Sequence, residues 1–435
     1  MKNINTRIVA LTLCGAFLLS FTNASIAYPI DGYPETEIRR LEYYRLAEIG
    51  EIKGKKVLEG AKLNRDQVVP RLLDNAGSSE ISSELPAINK EFSTQIRRSI
   101  AQQPQNYSVA VLDLSDPDNP IYAEHNGGYI DNVGSVGKIL VGVAFFAKLK
   151  EIYPNDVEQR RSILKNTIVT ADIYSTGDHH KVRFWDVDKK SLSRRPIRQG
   201  DKANLYEYLD WAFSPSSNSA AAMMQRELVL LSHFKERYPV AEAEVQEFLK
   251  TTKKSELGKI FLAGMIEPLK QLGIDTEKLR QGSFFTRAGK NRVIGTNSVG
   301  NTRELVKLLY LMEKGQLLDE FSSTELKRLL YSTERRIRYA SHPTLNPFAV
   351  YFKSGSLYSC KPEEGFKCGK YKGNKRNVLA SVAIVETPEE SAANKLKHHY
   401  IAVVQSKVLK VNSAIAHQTL ALRIHRLIEK LHQPK

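Results

Sequence analysis

The sequence predicts an α/β or α+β fold in which one sheet joins the two ends of a domain. Near the start, "YSVAVLDLSDPDNPIYAEHN" alternates apolar and polar residues around a proline-rich turn, which is typical of a β-hairpin. Near the end come three strand-like runs, "FAVYFKSGS", "VLASVAIVET" and "YIAVVQSKVL", and then an amphipathic helix. Helical patterns dominate the region between, from about Leu205 to Leu330. Strands on both sides of a helical region therefore indicate a shared sheet.

The first 27 residues have the pattern of a cleavable secretory signal. Lys2 and Arg7 precede an apolar stretch, and the small residues Ser25 and Ala27 follow it. We therefore expect the mature chain to begin near Tyr28 and the protein to be periplasmic or secreted.

A lipoprotein signal at Cys14 is a competing interpretation. Leu13 stands where such a signal has a small residue, and the apolar run continues past the cysteine, so lipidation is disfavoured. No later segment approaches the roughly 20 apolar residues of a membrane-spanning helix. The sequence therefore predicts no transmembrane segment after signal cleavage.

Beyond the leader, we expect a helical N-terminal extension and linker over residues 28–87 and a single domain over residues 88–435. The extension is charged and helix-prone from Glu35 to about Leu73. A serine-rich stretch, "NAGSSEISSELPA", is typical of a linker or exposed loop. A helix is expected around Glu91 to Ala101 before the hairpin begins.

Two cysteines remain after the leader, and both lie in one short segment. In an oxidising compartment, the pair Cys360 and Cys368 predicts a local disulfide. Two free thiols are the alternative. Metal binding is disfavoured because no further cysteine or histidine stands beside them.

The chain is strongly basic, with a net charge of +16. Runs such as "RRPIR", "ERRIR" and "KYKGNKR" could face anionic cell-wall polymer or lipid headgroups, although solvated surface is their default interpretation. Export makes nucleic acid the least suitable partner.

Several catalytic and binding patterns fail at specific positions. A phosphate-binding loop is excluded because Asn132 replaces its first glycine and Ile139 its hydroxyl residue. A G-x-S-x-G elbow is excluded because Val133 occupies its first position. His179 and His180 are adjacent and are interpreted as surface residues, so neither a metal site nor a histidine-dependent triad is expected.

The same stretch does contain a complete S-x-x-K motif. Ser135 and Lys138 stand at i and i+3 at the start of a long apolar helix, so the lysine can reach the serine hydroxyl. The motif alone is weak, since Ser162 and Lys165 repeat the spacing on what is interpreted as a helix surface.

Two further motifs follow in order. "FSPSSNSAAAMM" contains S-x-N at Ser216 and Asn218, with Ser214 and Pro215 interpreted as the N-cap and first residue of a helix. "YFKSGS" contains K-S-G at the end of a predicted strand. This set resembles that of serine penicillin-binding proteins and class A β-lactamases, and the resemblance runs from about Glu91 to the C-terminus. It implies a β-lactamase-like (transpeptidase-like) fold, an antiparallel sheet beside an all-helical subdomain.

The resemblance also implies roles for the first two motifs. Ser135 is the expected nucleophile, and Lys138 is the expected base, kept neutral by burial and by the charge of Lys353 across the cleft. Ser216 is expected to relay a proton to the leaving nitrogen, and Asn218 to hold the substrate amide. No metal or other cofactor is implied.

The third motif is expected to bind substrate. By resemblance, Lys353 and Ser354 bind the carboxylate of a β-lactam or of a peptide ending in D-alanine. Gly355 keeps the strand edge clear for the substrate. The backbone N–H groups of Ser135 and Ser356 form the expected oxyanion hole.

Three departures from the family pattern bear on function. The segment "GSFFTRAGKNRVIGT" corresponds to the omega loop but contains no acidic residue, whereas class A β-lactamases carry E-x-x-L-N with a water-activating glutamate there. An insertion over residues 178–213 separates the first two motifs, and the cysteine loop follows K-S-G. We therefore expect an acyl-enzyme at Ser135 formed from a β-lactam or a D-Ala-D-Ala-type peptidoglycan peptide. A D-alanyl-D-alanine carboxypeptidase or endopeptidase with poor β-lactam turnover, or an idle wall-binding protein, is the alternative.

Overall fold

A five-stranded antiparallel sheet forms the centre of the molecule. The computed structural model describes residues 29–54, 57–73, 82–333, 336–388 and 397–433. The five strands are β1 (Tyr107–Asp113), β2 (Ile121–His125), β7 (Ala349–Ser359), β8 (Arg376–Glu386) and β9 (His399–Lys407). They lie side by side in the order β2-β1-β9-β8-β7. Strands from the two ends of the domain meet where β1 pairs with β9, as predicted.

Two short antiparallel ribbons and thirteen helices complete the described parts of the chain. The ribbons pair β3 (Ile168–Thr170) with β6 (Lys202–Asn204) and β4 (Val182–Asp186) with β5 (Ser191–Arg195). The helices are α1 (Tyr33–Thr36), α2 (Arg39–Glu48), α3 (Lys90–Ser99), α4 (Lys138–Ile152), α5 (Val157–Asn166), α6 (Leu205–Phe213), α7 (Asn218–Phe234), α8 (Glu242–Thr251), α9 (Lys254–Gln271), α10 (Arg287–Arg292), α11 (Thr302–Glu313), α12 (Glu320–Tyr331) and α13 (Ser413–Leu431).

The sheet is covered on both faces, and strands β1, β8 and β9 are buried along almost their whole length. Val109 and Val111 of β1 belong to the apolar cluster that includes α3 and α13. Ala110 and Leu112, which point the other way because side chains alternate along a strand, belong to the larger cluster of the helical subdomain. The predicted α/β (α+β) fold, with its sheet and helical subdomain, is confirmed.

Helix α4 lies inside the helical subdomain. Its residues are apolar on nearly every face, and most of them, including Leu140, Val143, Phe145 and Phe146, are fully buried. It contacts α6, α7, α9 and α12, so its N-terminus is held in a fixed position. That N-terminus carries Lys138.

The N-terminal segment differs from the helix predicted from Glu35 to Leu73. Helix is confined to α1 and α2, and the remaining described residues form short 3₁₀ turns and irregular chain. The segment instead lies against the domain through buried arginines: Arg40 pairs with Asp210 at 2.5 Å, and Arg65 pairs with Glu325 at 2.5 Å. Tertiary ion pairs, rather than helical periodicity, therefore determine its path.

The predicted signal peptide, linker, disulfide and absence of a membrane span are compared with the structure in turn. The predicted signal peptide lies outside the described residues, as does part of the predicted linker. The disulfide between Cys360 and Cys368 is formed and follows β7. Within the described ranges, no helix has the length and apolar character that crossing a bilayer requires.

Candidate active site

The predicted nucleophile lies on a tight turn against the edge strand of the sheet. Ser135 belongs to a 3₁₀ turn, Gly134–Gly137, that leads directly into α4. A Cβ atom on Gly355 of β7 would lie 2.3 Å from the backbone nitrogen of Ser135 and 2.3 Å from the carbonyl oxygen of Val133. Any side chain at position 355 would therefore collide with the turn that carries Ser135.

Lys138 lies beneath this turn and is fully buried. Its Nζ donates hydrogen bonds to Ser135 Oγ at 3.1 Å, to Asn218 Oδ1 at 2.8 Å and to the carbonyl oxygen of Ser216 at 2.6 Å. Burial lowers the pKa of Lys138 to about 7, against the opposing attraction of Asp178. The lysine can therefore exist in a neutral, proton-accepting form near neutral pH.

The Ser216 hydroxyl joins two lysines. Its Oγ lies 3.3 Å from Lys138 Nζ and 2.7 Å from Lys353 Nζ. The residue has a φ of 65°, a left-handed conformation that is uncommon outside glycine and that is found at functional turns. Burial, together with the charges of Lys138 and Arg338, holds the pKa of Lys353 well below its usual range.

The S-x-N turn begins its helix later than predicted. Ser214 is the C-cap of α6, and the helix that follows, α7, begins at Asn218 with Ser217 as its N-cap. Ser217 Oγ accepts from the backbone nitrogen of Ala220, which satisfies an otherwise free N–H group of the first turn. Pro215 therefore lies in the connection between the two helices.

Asp178 was not identified from the sequence, although it begins the insertion. Its Oδ2 accepts from Ser217 Oγ at 2.9 Å and from the backbone nitrogens of Asn218 at 2.7 Å and Ser219 at 3.0 Å. Burial raises the pKa of Asp178, but its hydrogen bond to His180 and those from backbone N–H groups outweigh burial and hold it well below the usual range. A carboxylate at the positive end of α7 thus fixes the S-x-N turn.

His180 lies in the cleft, which differs from the surface position predicted for it. Its Nδ1 is 2.6 Å from Asp178 Oδ1, and the side chain is partly buried. Burial and the charge of Lys138 lower its pKa despite the opposing effect of Asp178, which favours the neutral ring. His179 is exposed and stacks on His180, with ring centroids 4.5 Å apart.

Arg338 is the second residue that the sequence did not reveal. Its Nη1 donates to Ser354 Oγ at 2.8 Å, and its Nη2 donates to Ser356 Oγ at 2.9 Å, so one guanidinium spans both serines of the K-S-G-S stretch. The chain reaches this position through a φ of 55°. A cation beside Lys353 suits the binding of an anionic substrate group.

An aromatic ring occupies the side of the cleft formed by the loop without acidic residues. The Phe285 ring centroid is 4.9 Å from Lys138 Nζ. The side chain of Gln281, just before this loop, donates a hydrogen bond from Nε2 to the carbonyl oxygen of Ser283 at 2.5 Å. Its Oε1 lies against the nucleophile's turn, since a Cβ on Gly137 would be 2.2 Å from it. This loop therefore presents a ring and an amide to the Ser135–Lys138 pair, without a carboxylate.

These residues surround one cleft of about 930 Å³, which is near the upper end of the usual range for ligand pockets. The cleft is lined by Ser135, Ser216, Asn218, Lys353, Ser354, Gly355 and Ser356. Lys138 lies directly behind Ser135. All the residues that the sequence singled out for catalysis and substrate binding thus meet in one place.

Three clusters of described residues bring carboxylate and imidazole atoms close enough to consider a metal ion: Asp178, His179 and His180; His398, His425 and Glu429; and Glu313, Glu386 and His399. Asp178 already accepts hydrogen bonds from the start of α7. Lys327 Nζ lies 2.8 Å from Glu313 and also contacts Glu386, so the third cluster already contains a cation. We assign no metal to these clusters of described residues.

The fold is β-lactamase-like. It resembles the β-lactamase from Sphaerobacter thermophilus DSM 20745, with a TM-score of 0.50 and 11% sequence identity over 78% of this chain and 99% of that chain. It is also similar to PBP-A, with a TM-score of 0.48, 14% identity and coverage of 80% and 100%. At these identities the likeness concerns the fold. No known family model and no curated protein sequence matches the chain.

Proposed function

We propose that this protein is a β-lactamase-like serine hydrolase that forms an acyl-enzyme on Ser135. The observation that carries the proposal is the partly buried chain of hydrogen bonds from Ser135 through Lys138 and Ser216 to Lys353. A serine hydroxyl needs a base to become nucleophilic, and a buried lysine with a pKa of about 7 is such a base. The expected substrates are a β-lactam and a D-Ala-D-Ala-type peptidoglycan peptide.

In the acylation step, neutral Lys138 takes the proton of Ser135 as Oγ bonds to the substrate carbonyl carbon. The backbone N–H groups of Ser135 and Ser356 stabilise the developing oxyanion, and each such donor is worth about 3 to 4 kcal/mol. A Cβ on Gly134 would lie 3.2 Å from the Ser356 nitrogen, so that nitrogen borders the nucleophile's turn. Ser216 then passes the proton from Lys138 to the leaving nitrogen as the carbon–nitrogen bond breaks.

The substrate is oriented by groups on either side of Ser135. Arg338 offers positive charge to the carboxylate of the substrate, and Lys353 and Ser354 offer hydrogen-bond donors. Asn218 Oδ1 lies 2.8 Å from Lys138 Nζ, so the side chain is held where it can also meet the substrate amide. These contacts are ones that the carboxylate-bearing ring of a penicillin and a D-alanyl terminus share.

Release of the acyl group is expected to be slow with β-lactams. The loop beside Lys138 presents Phe285, and its sequence from Gly282 to Thr296 contains no acidic residue. A water molecule there has no carboxylate to activate it as a general base. This observation favours the second candidate, a D-alanyl-D-alanine carboxypeptidase or endopeptidase with poor β-lactam turnover, acting in the periplasm or outside the cell. A catalytically idle wall-binding protein is the remaining alternative.

The test is to incubate the mature protein with a labelled penicillin and to locate the adduct by intact mass and peptide mapping. We expect one adduct, on Ser135, that Ser135→Ala abolishes and that persists for many minutes. The matched control is Ser162→Ala, which alters the second S-x-x-K spacing in α5 and leaves labelling unchanged. An adduct that survives Ser135→Ala, or no adduct at all, would falsify the proposal. Rapid hydrolysis of the adduct would indicate a β-lactamase and contradict the peptidase with poor β-lactam turnover.

A further inference from the structure

All the charged side chains that line the described cleft are basic. The chain as a whole contains 64 basic and 48 acidic residues, so a cleft without a single aspartate or glutamate among its described lining residues departs from the average. The charged lining residues are Lys181, Arg194, Lys290, Arg338, Lys353, Lys370 and Arg376. A cleft lined by one sign of charge raises the local concentration of oppositely charged ligands.

Two of these cations, Arg338 and Lys353, are buried and belong to the catalytic centre described above. The other five are exposed and form what we call the basic rim: Lys181, Arg194, Lys290, Lys370 and Arg376. In the described parts of the chain none of the five forms an ion pair with a carboxylate. Their charges therefore face the cleft and solvent without a protein counter-ion.

The basic rim comes from three separate parts of the chain that meet at the mouth of the cleft. Lys181 directly precedes the β4–β5 hairpin of the insertion, and Arg194 belongs to it. Lys290 lies on α10. Lys370 and Arg376 come from the C-terminal part of the chain, after the disulfide and at the start of β8. Cations from segments that are distant in the sequence thus line one cleft.

We infer that the acyl donor is an acidic peptide carrying at least two carboxylates beyond the one held at Lys353 and Arg338. This inference rests on the proposed function, since the peptide is the substrate of the same Ser135 site. The scissile bond lies at Ser135, and the additional carboxylates meet the basic rim. The rim attracts the peptide from solution and holds the part of it that does not react.

The lining favours a peptide over a phosphate polymer. The chemistry at Ser135 breaks an acyl bond, which a phosphodiester chain does not contain. Phe285, Tyr358 and Tyr371 line the same cleft and offer apolar and aromatic surface to side chains and peptide planes. With about 930 Å³, the cleft can hold several residues at once.

Binding without chemistry is measured by calorimetry on Ser135→Ala, using tetraglutamate and, as its uncharged counterpart, tetraglutamine. We expect tetraglutamate to bind at least about tenfold more tightly, and its affinity to fall as salt is raised, because exposed charges are screened. The double variant Lys181→Gln/Arg194→Gln lowers the affinity about tenfold. The matched control is Lys250→Gln/Lys253→Gln, two exposed lysines around α8 that do not line the cleft.

Equal binding of the two peptides, or no effect of the rim variant beyond that of the control, overturns the inference. Inorganic tripolyphosphate provides a third arm: if it displaces tetraglutamate and binds more tightly, the rim selects phosphate and the acidic peptide is the wrong ligand.

Acylation distinguishes failure of this inference from failure of the proposed function. Benzylpenicillin and its α-carboxy derivative differ by one carboxylate on the acyl side chain. We expect the dicarboxylate to acylate Ser135 faster, and the rim variant to remove that advantage while acylation by benzylpenicillin remains. Acylation by both at equal rates contradicts the inference alone, whereas acylation by neither contradicts the proposed function and, with it, the assignment of the peptide as acyl donor.

Discussion

Lys138 illustrates how a single residue combines stability and chemistry. A lysine that is removed from water loses the hydration of its charge, and the neutral amine is favoured as a result. The surrounding groups accept hydrogen bonds from Lys138, and none of its hydrogen-bond partners is a carboxylate. The fold therefore holds an ionisable group near the pH at which it can exchange a proton.

We predict that the rate of Ser135 acylation by a labelled penicillin rises with pH around a midpoint near 7 and levels off above it. Below the pKa of Lys138, which is about 7, the amine is protonated and cannot accept the serine proton. Stopped-flow measurement of adduct formation from pH 5 to 9 provides the profile.

Lys138→Arg should lower this rate by roughly 10²- to 10⁴-fold and abolish the rise, since a guanidinium stays charged throughout the range. Lys165→Arg is the matched control, because Lys165 is the lysine of the second S-x-x-K spacing. A midpoint that is the same in wild type and Lys138→Arg would contradict the assignment of Lys138 as the base.

At the scale of elements, the start of α7 depends on a residue from the insertion. Asp178 binds two backbone N–H groups of α7 and the hydroxyl of its N-cap, Ser217, and so orients the turn that carries Ser216. The dipeptide Ser214-Pro215 has the residue types of an N-cap and a first helical residue, so the local sequence predicts a helix that begins there. The helix begins three residues later because the carboxylate reaches it only in the folded chain.

We predict that Asp178→Ala lowers the free energy of unfolding by about 1 to 2 kcal/mol, the usual effect of losing a helix N-terminal acceptor. The pKa of Asp178 is held below its ordinary value, so this stabilisation is present above about pH 4 and is lost as the pH falls further. Urea unfolding at pH 7 and at pH 3 measures both values.

The rate of Ser135 acylation distinguishes a positioning role of Asp178 from a merely structural one. It should slow in Asp178→Ala and recover in part in Asp178→Asn, whose amide oxygen still accepts hydrogen bonds. An Asp178→Ala protein that is destabilised but acylates at the wild-type rate would show that Asp178 has no influence on Ser216.

At the scale of the whole molecule, the N-terminal segment joins parts that are distant in sequence. Arg40 binds Asp210 of α6 through two nitrogens and also donates to the carbonyl oxygen of Ser332 at 2.6 Å. The Tyr43 ring of α2 lies 5.3 Å from that of Trp185 in the β4–β5 hairpin. The segment thus supports the hairpin whose cations reach the cleft.

We predict that Arg40→Met destabilises the protein by about 3 to 5 kcal/mol, because it leaves the Asp210 carboxylate buried without its cation. Denaturant unfolding of the mature protein measures the difference. The double variant Arg40→Met/Asp210→Leu should recover most of the loss, since it removes both charges. A single variant that unfolds within about 1 kcal/mol of wild type would mean that the segment is only loosely attached.

The sequence by itself determined the order of the three motifs, the strands at both ends of the domain, the buried helix behind Ser135 and the disulfide. Each of these features follows from the spacing or the type of residues that are close together in the sequence. Only the tertiary structure decided that Arg338 spans Ser354 and Ser356, that Asp178 holds the start of α7, and that a basic rim surrounds the cleft. These contacts join segments that lie tens to hundreds of residues apart. Long-range packing brings them together, and no local periodicity encodes which distant side chains will meet.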